Sequence, residues 1–310
     1  MRVPRLLQSA LVLPCLLAAP GAWGQTDSAA VQIDSTVLLS YRRSSAVLSA
    51  PGGLTRVDLA GIASIPSVFG NADPLRFLNA LPGVETGNEF DAGLHIQGSE
   101  SSHSIVLMEG VPVYGAKHLL GLFSVFNPSH FESMHYQSTA SGCNRLGGEV
   151  DMRLPGRIPD RTGIDFSSGL ASSQASMRQP FGASSVLSVS LRRSLLDLLF
   201  PGKIRVEDDP VDYRFYDFDL SLQSYIGPGD VLTLNLYGGS DALGYSSASD
   251  FLNLDMRWRN ALASAAWTHG KLEQQLFYSG YALAMDLGYN SLSVSVPSGI
   301  STAGYKASWQ

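Results

Sequence analysis

The second half of the sequence alternates apolar and polar residues with a period of two, over runs longer than an ordinary strand. In the run from Phe215 to Gln223, apolar side chains at every second position alternate with Asp217, Asp219 and other polar residues. The same alternation returns in three further runs, which are Leu187 to Arg192, Leu232 to Tyr237 and Leu254 to Arg259. Because successive side chains of a strand point to opposite faces, each run predicts a strand with one apolar and one polar face.

Two architectures satisfy this alternation: a β-sandwich whose polar faces meet water, and a membrane barrel whose apolar faces meet lipid. The length of the runs, the Gly-Pro-Gly-Asp turn at 227–230 and the aromatic residues near strand ends favour the barrel. All three tryptophans beyond position 24 lie in this half, at Trp258, Trp267 and Trp309. No later segment has the ~18 consecutive apolar residues of a spanning helix, so any membrane crossing is predicted to use strands.

Residues 1–24 are organised like a cleaved secretory signal. Arg2 and Arg5 precede an almost uninterrupted apolar stretch from Leu6 to Ala19, and Ala22-Trp23-Gly24 offers the small residues that a signal peptidase reads. Cleavage is therefore predicted near Gly24; taken together with the predicted barrel, export to the cell outer membrane is expected.

Two other interpretations of this segment are an uncleaved membrane anchor and a lipoprotein signal through Cys15. The apolar stretch is shorter than the ~20 residues of a spanning helix. Pro14 stands where a lipoprotein signal requires a small residue. Cleavage would leave Cys143 as the remaining cysteine, so no intramolecular disulfide is predicted.

Three zones follow the signal. Residues 25–60 are polar and rich in small residues, which predicts a mobile periplasmic leader. Residues 61–155 mix helix and strand signals. A link rich in Pro and Arg at 155–159 separates them from the strand-rich zone at 162–310.

The zone at 61–155 predicts a small α+β domain with a mixed sheet and short helices. Asp73 is placed as an N-cap, Pro74 occupies the first helical turn, and Pro82-Gly83 predicts the end of this helix. Four short strands are predicted, at Leu94 to Gln97, Ile105 to Met108, Ser133 to Gln137 and Glu149 to Leu154. The predicted fold class is thus an α+β domain followed by an incomplete antiparallel transmembrane β-barrel.

This α+β zone resembles the plug domain of TonB-dependent outer-membrane receptors, with several motifs in the family's order. They include the segments Leu94-His95-Ile96-Gln97-Gly98 and Ile105 to Tyr114. The structural positions that match the plug motifs are Asp73, Pro74, Leu81, Pro82, Gly83, Gly98, Gly110, Gly147 and Gly148. The segment Leu191 to Leu199 also resembles an early barrel strand of the family.

The resemblance implies a receptor that takes up an extracellular solute, of siderophore, vitamin or glycan type, with energy delivered by TonB and its inner-membrane complex. It implies no cofactor; outer-membrane lipid and the solute are the other partners. TonB would bind an extended segment near the mature N-terminus by strand addition. The loosely matching residues are Asp34, Ser35, Thr36, Val37, Leu38 and Leu39. The alternative is an ordinary disordered leader.

Solute contacts in this family come from plug loops and from the barrel lumen. Polar, small and aromatic loop residues are the candidates here, because they suit hydrogen bonding and stacking. They are Asn88, Glu89, Phe90, Glu100, His103, Tyr114 and His118. Plain loop chemistry without a ligand is the alternative.

The sequence departs from the family in two respects. Gln97 stands where most plugs carry an arginine that pairs with barrel carboxylates, so this contact is expected to be lost or to use Arg145. Residues 162–310 hold six or seven predicted strands, whereas the barrels of such transporters have about 22. We therefore expect a fragment that does not transport by itself. The alternative function is a non-transporting periplasmic binding or interaction module made of a plug with a partial barrel.

The sequence lacks the residue patterns of nucleic-acid-binding proteins, of common enzymes and of metal sites. The formal net charge of −6 gives no basic footprint for nucleic acid. No nucleophile elbow, zinc-protease motif, P-loop or dinucleotide fingerprint occurs, which predicts no enzyme. Five of the six histidines fall between positions 95 and 135, but their spacing matches no compact ligand set, so no metal site is predicted.

Overall fold

The computed structural model of the 310-residue chain describes residues 47–49, 54–62, 72–86, 94–118, 121–138, 146–202, 204–206, 208–247 and 251–309. The predicted signal, the TonB-contact segment at 34–39 and Cys143 lie outside the described residues. Within the described ranges, no helix is long and apolar enough to cross a membrane.

The N-terminal domain is built on a mixed sheet with the strand order β1-β2-β9-β10-β5-β6. Its strands are β1 (Val47–Ser49), β2 (Leu54–Asp58), β5 (Ser104–Met108), β6 (Val111–Pro112), β9 (Ser133–Gln137) and β10 (Gly148–Arg153). Neighbouring strands are antiparallel, except that β10 and β5 run parallel. Separate hairpins pair β3 (Val84–Thr86) with β4 (Leu94–Ile96), and β7 (Lys117–His118) with β8 (Phe123–Ser124).

Short helices accompany this sheet: α1 (Leu59–Ile62), α2 (Pro74–Leu78) and a 3-10 turn at Ser101–His103. The core between the elements contains fully buried apolar side chains, among them Val57, Leu78, Ile96, Met134 and Met152. Burying a side chain of this size stabilises the fold by about 1.5–3 kcal/mol. The predicted α+β character of this domain is confirmed, and each of its four predicted strands is present to within one residue at either end.

The domain begins earlier in the chain than predicted. The strands β1 and β2 fall in the zone predicted as a mobile leader, yet β2 pairs with β9 in the middle of the sheet. Val57 on β2 is fully buried. A five-residue strand with one buried side chain produces too weak a periodicity to be recognised in a polar segment.

Helix α2 starts as predicted and ends earlier. Oδ1 of Asp73 accepts the backbone N–H of Arg76 at 3.0 Å, which is the predicted N-cap. The helix ends at Leu78, and the chain continues as tight turns in which Leu81 N–H donates to the carbonyl of Leu78 at 2.8 Å. Gly83, with a φ of +79°, then redirects the chain, as the Pro82-Gly83 signal predicts.

A long antiparallel sheet forms the rest of the chain, with the path β11-β12-β13-β15-β16-β17-β18-β19. The strands are β11 (Gly163–Ser168), β12 (Ser172–Phe181), β13 (Ser185–Ser194), β15 (Asp209–Gly227), β16 (Asp230–Ser247), β17 (Leu252–His269), β18 (Leu272–Tyr289) and β19 (Leu292–Trp309). Helix α3 (Leu196–Leu199) and the short β14 (Arg205–Val206) lie between β13 and β15. The eight strands correct the predicted six or seven, because β11, β12 and β13 are shorter and more closely spaced than the later strands. The described sheet is open, since β11 and β19 are not paired with each other.

The long sheet buries its polar face and exposes its apolar face. On the polar face, Ser190 and Asp219 are 1% exposed. On the opposite face, Leu191 is 55% exposed and Phe218 is 39% exposed, although each is adjacent in sequence to one of these buried residues. The predicted alternation is confirmed, and an apolar outer face over a polar inner face is the pattern of a barrel strand in lipid.

Candidate functional site

The N-terminal domain meets the buried polar face of the long sheet through His118, whose side chain is fully buried. The ring lies between two carboxylates on neighbouring strands, Asp217 of β15 and Asp241 of β16. Nδ1 is 2.9 Å from both carboxylate oxygens of Asp241, and Nε2 is 2.8–2.9 Å from both oxygens of Asp217. A carboxylate only accepts hydrogen bonds, so this geometry requires an N–H on both ring nitrogens.

The protonated form of His118 is therefore the form that fits. Burial alone would lower the pKa of this imidazole, but the attraction and hydrogen bonds of Asp217 and Asp241 outweigh burial and raise the pKa to about 8. His118 then carries a positive charge near neutral pH and forms a buried ion pair on each side.

Arg192 of β13 supplies the second positive charge. Its Nε donates to Oδ2 of Asp217 at 2.8 Å. The guanidinium also reaches into the N-terminal domain, where it donates to the carbonyls of Ser124 at 2.5 Å and Phe126 at 3.4 Å. We call His118, Arg192, Asp217 and Asp241 the charge clamp. Its two cations balance its two carboxylates, which is what allows four charges to be buried together.

Aromatic side chains enclose the charge clamp. The ring of Phe215 stacks on His118 with a centroid distance of 4.2 Å, and the guanidinium of Arg192 lies 5.3 Å from the centroid of the same ring. Tyr213 donates a hydrogen bond to Asp241, and Tyr237 donates to Asp217 at 3.2 Å. These contacts satisfy the remaining acceptor sites of the carboxylates and exclude water from the ion pairs.

The N-cap residue Asp73 connects helix α2 to the same region. Its Oδ2 accepts the backbone N–H of Ser124 at 2.5 Å while Oδ1 caps the helix. The carbonyl of Ser124 in turn accepts from Arg192. The predicted structural position Asp73 thus holds both the helix and the hairpin that carries His118.

A second set of contacts joins the turn between β5 and β6 to the last strands of the long sheet. Glu109 and Gly110 both have positive φ, at +49° and +76°, as a two-residue hairpin turn requires. The carbonyl of Glu109 accepts from Gln275 at 2.8 Å, and that of Gly110 accepts from Lys306 at 2.5 Å. The backbone carbonyls of both turn residues are therefore hydrogen-bonded to side chains of the long sheet.

No protein-family model matches the sequence, and no curated protein matches it. The fold is similar to the siderophore receptor PirA from Acinetobacter baumannii, with 12% identity and a TM-score of 0.58, over 82% of this chain and 45% of that chain. It is also similar to the ferric yersiniabactin uptake receptor FyuA from Yersinia pestis, with 14% identity and a TM-score of 0.51, over 82% of this chain and 52% of that chain.

The chain has the plug-and-barrel fold of TonB-dependent receptors. It spans about half the length of the two solved receptors. The N-terminal domain corresponds to the plug, and the long sheet corresponds to part of the barrel wall.

The predicted solute-contact residues lie in different places on the plug. Glu100 and His103 are exposed at the 3-10 turn, and Tyr114 is half-buried with its hydroxyl 2.7 Å from Oγ1 of Thr302 on β19. A fully buried His118 is not accessible to a solute, so we correct its role to that of a plug–barrel contact. Asn88, Glu89 and Phe90 lie outside the described residues.

Most plugs carry an arginine that pairs with barrel carboxylates at the position of Gln97, and Arg145 was the expected substitute for it. Gln97 is exposed with a φ of +55°, and Arg145 lies outside the described residues. The plug contacts the sheet carboxylates Asp217 and Asp241 through His118, while Arg192 pairs with Asp217 from within the sheet. Sequence alternation places Arg192 and Asp217 on the polar face, but nothing in the sequence indicates that a loop histidine reaches them.

A cavity of about 460 Å³ lies between the plug and strands β17 and β18. Its lining combines the plug residues Tyr114 and Lys117 with Trp258 and Tyr281 of the sheet. Aromatic rings beside a basic side chain suit an aromatic or anionic solute. In the part of the chain that the structure describes, no group of His, Cys, Asp and Glu side chains has the arrangement of a metal site.

We predict that the plug–barrel contact weakens between pH 6.5 and pH 9. The pKa of His118 in the folded protein, about 8, lies above its unfolded value, so its stabilisation is complete below about pH 6.5 and is lost as the pH rises through 8. The loss amounts to about 2 kcal/mol. Amide hydrogen exchange of residues 115–118, corrected for the intrinsic rate, should accelerate over this range. A His118→Gln variant should show no such pH dependence, and an equal acceleration in this variant would contradict the assignment.

We also predict that charge balance, more than the histidine itself, determines stability at the clamp. His118→Leu leaves Asp241 buried without a cation and should lower the free energy of unfolding by about 3–5 kcal/mol. Adding Asp241→Asn should restore a large part of the loss, because the unpaired charge is removed. Urea unfolding in lipid vesicles measures both. The exposed His103→Leu is the control, with an expected change within about 0.5 kcal/mol. A double variant no more stable than His118→Leu would rule out charge balance as the cause.

Proposed function

We propose that this chain forms the plug and part of the barrel of an outer-membrane receptor that takes up an extracellular solute with energy delivered by TonB. The observation that supports it best is the combination of a sheet with an apolar outer face and a plug docked on its buried polar face. A binding protein of the periplasm would not need an apolar outer face. We assign residues 1–24 to a signal that is cleaved near Gly24 and directs the protein to the outer membrane.

The solute we propose is a ferric siderophore, in preference to a vitamin or a glycan. The two similar solved structures are a siderophore receptor and a ferric yersiniabactin uptake receptor. The aromatic and basic lining of the cavity beside Tyr114 and Lys117 suits such an anionic chelate. The exposed Glu100 and His103, which flank the cavity-lining Ser101 and Ser102 in sequence, are proposed as additional contacts, together with Asn88, Glu89 and Phe90.

The charge clamp gives the plug its resting position in this proposal. Solute reaches the periplasm only when the plug rearranges or leaves the lumen. A clamp of buried ion pairs is stable while both partners are in place, and it separates as a unit because a half-separated ion pair in a dry site is costly. No step of this function requires a catalytic residue or a cofactor.

Uptake by cells that carry the complete gene tests the proposal. Cells should accumulate iron-55 from at least one ferric siderophore of a catecholate, hydroxamate and mixed-type panel. Accumulation should fall to the level of a gene-deletion strain when TonB is absent or the proton gradient is collapsed. The protein should fractionate with the outer membrane. Release of the protein by osmotic shock, with no gene-dependent uptake, would instead establish the periplasmic binding module.

The proposed TonB contact at Asp34 to Leu39 makes a separate prediction. A cysteine at Val37 should form a disulfide with cysteines placed along the sheet edge of the TonB C-terminal domain, because strand addition brings the two backbones side by side. A cysteine at Ser28 in the same leader is the matched control. Equal crosslinking at both positions, or none at Val37 in a receptor that transports, would show that TonB binds elsewhere.

A further inference from the structure

The outer face of the long sheet changes from apolar to charged along its strands. Cross-strand neighbours form rows with one residue from each of β15, β16, β17 and β18. From the end with the turns at 228–229 and 270–271, the rows are Leu222, Leu234, Ala265 and Leu276; then Leu220, Leu236, Ala263 and Tyr278; then Phe218, Gly238, Ala261 and Gly280. The following rows are Tyr216, Ser240, Arg259 and Ala282; Arg214, Ala242, Arg257 and Ala284; and Asp212, Gly244, Asp255 and Asp286.

A groove of about 950 Å³ opens on this outer face where the apolar rows meet the charged ones. Its floor is the row of small residues Gly238, Ala261 and Gly280, in which the surface over Gly238 is open and the ring of Tyr278 lies over Gly280. Phe218 and Tyr278 also line the groove. Arg259, in the adjoining row, places a guanidinium at the charged end of the groove.

Three exposed arginines, Arg214, Arg257 and Arg259, form a basic patch at this end of the groove. None of them makes an ion pair or a hydrogen bond with any residue that the structure describes. An arginine on the lipid-facing surface is costly at the middle of a bilayer and is tolerated near its surface. The patch therefore marks the headgroup level, with the apolar rows in the hydrocarbon below it.

The carboxylate row beyond the arginines restricts what can bind there. Asp212, Asp255 and Asp286 are one row further from the apolar band, on the side from which a soluble anion would approach. Their charge repels such an anion. An anion held at the membrane surface by its own acyl chains approaches the arginines from the apolar side instead.

We propose that this patch and groove bind a phosphate-bearing lipid, with the phosphate on Arg257, Arg259 and Arg214 and one acyl chain over Gly238 and Ala261, beside the ring of Tyr278. Arginine matches phosphate because its planar fork donates two parallel hydrogen bonds to two oxygens. This inference rests on the membrane embedding in the proposed function, and it adds a site on the outer wall that is separate from the solute path.

The test uses the full chain purified in a neutral detergent, with lipid binding measured by native mass spectrometry. Dioleoyl phosphatidic acid is the probe, and dioleoyl glycerol is the matched lipid without phosphate. Arg257→Gln and Arg259→Gln should each weaken phosphatidic acid binding about fivefold and leave dioleoyl glycerol unchanged. Lys271→Gln, the same charge change at the opposite end of β17 and β18, should have no effect.

A second variant tests the groove independently of the arginines. The position of a Cβ on Gly238 has no heavy atom within 4 Å, so Gly238→Leu should fill the groove without displacing the backbone. Binding of both lipids should decrease.

Equal binding of the two lipids to the unmodified chain, or equal effects of Lys271→Gln and Arg259→Gln, would overturn the proposal. Competition by inorganic phosphate at low millimolar concentration would also overturn it, in favour of a free-anion site. Flotation of the chain with vesicles distinguishes a failure of the proposed membrane embedding from a failure of the lipid site. A chain that does not float contradicts the proposed membrane embedding, whereas a chain that floats without lipid preference contradicts only the lipid site.

Discussion

Two carboxylates buried in the long sheet determine which plug residue packs against it, because they require a cation from the plug. Asp217 and Asp241 lie on neighbouring strands of a face that is closed to water, where an unpaired negative charge costs several kcal/mol. The sheet itself supplies one cation, Arg192, and the second has to come from the plug. His118 is that cation, so the plug is positioned by a charge requirement as well as by its apolar core.

The same arrangement explains why the hairpin β7–β8 can be so short. Its strands have two residues each, which is too little to fold alone. His118 anchors one strand by its ring, and Arg192 anchors the other by the carbonyl of Ser124. The N-cap Asp73 holds Ser124 from the opposite direction. A helix terminus, a hairpin and a sheet thus share one hydrogen-bonded network.

Much of the fold could be predicted from local sequence, whereas the clamp could not. Alternation places Asp217 and Arg192 on one face because side-chain direction in a strand depends only on parity. The helix start at Asp73 and the turn at Gly110 follow from cap and turn chemistry. His118 meets Asp241 across 123 positions, and no local pattern reports such a contact. Gln97 at the position of the arginine found in most plugs predicted that the contact is lost or uses Arg145, and neither expectation pointed to His118.

The strand order of the plug has a mechanical consequence. The first strands, β1 and β2, lie at one edge of the sheet, while β5 and β6, whose turn contacts the barrel wall, lie at the other. A pull on the chain before Val47 is transmitted in series through the short β1–β2 pairing, the β2–β9 pairing, and then the charge clamp. Links in series carry the same load, so the weakest gives way first. β1 pairs with β2 at three positions and β2 pairs with β9 at five, so a pull on this edge of the plug sheet meets the smallest number of backbone pairs first.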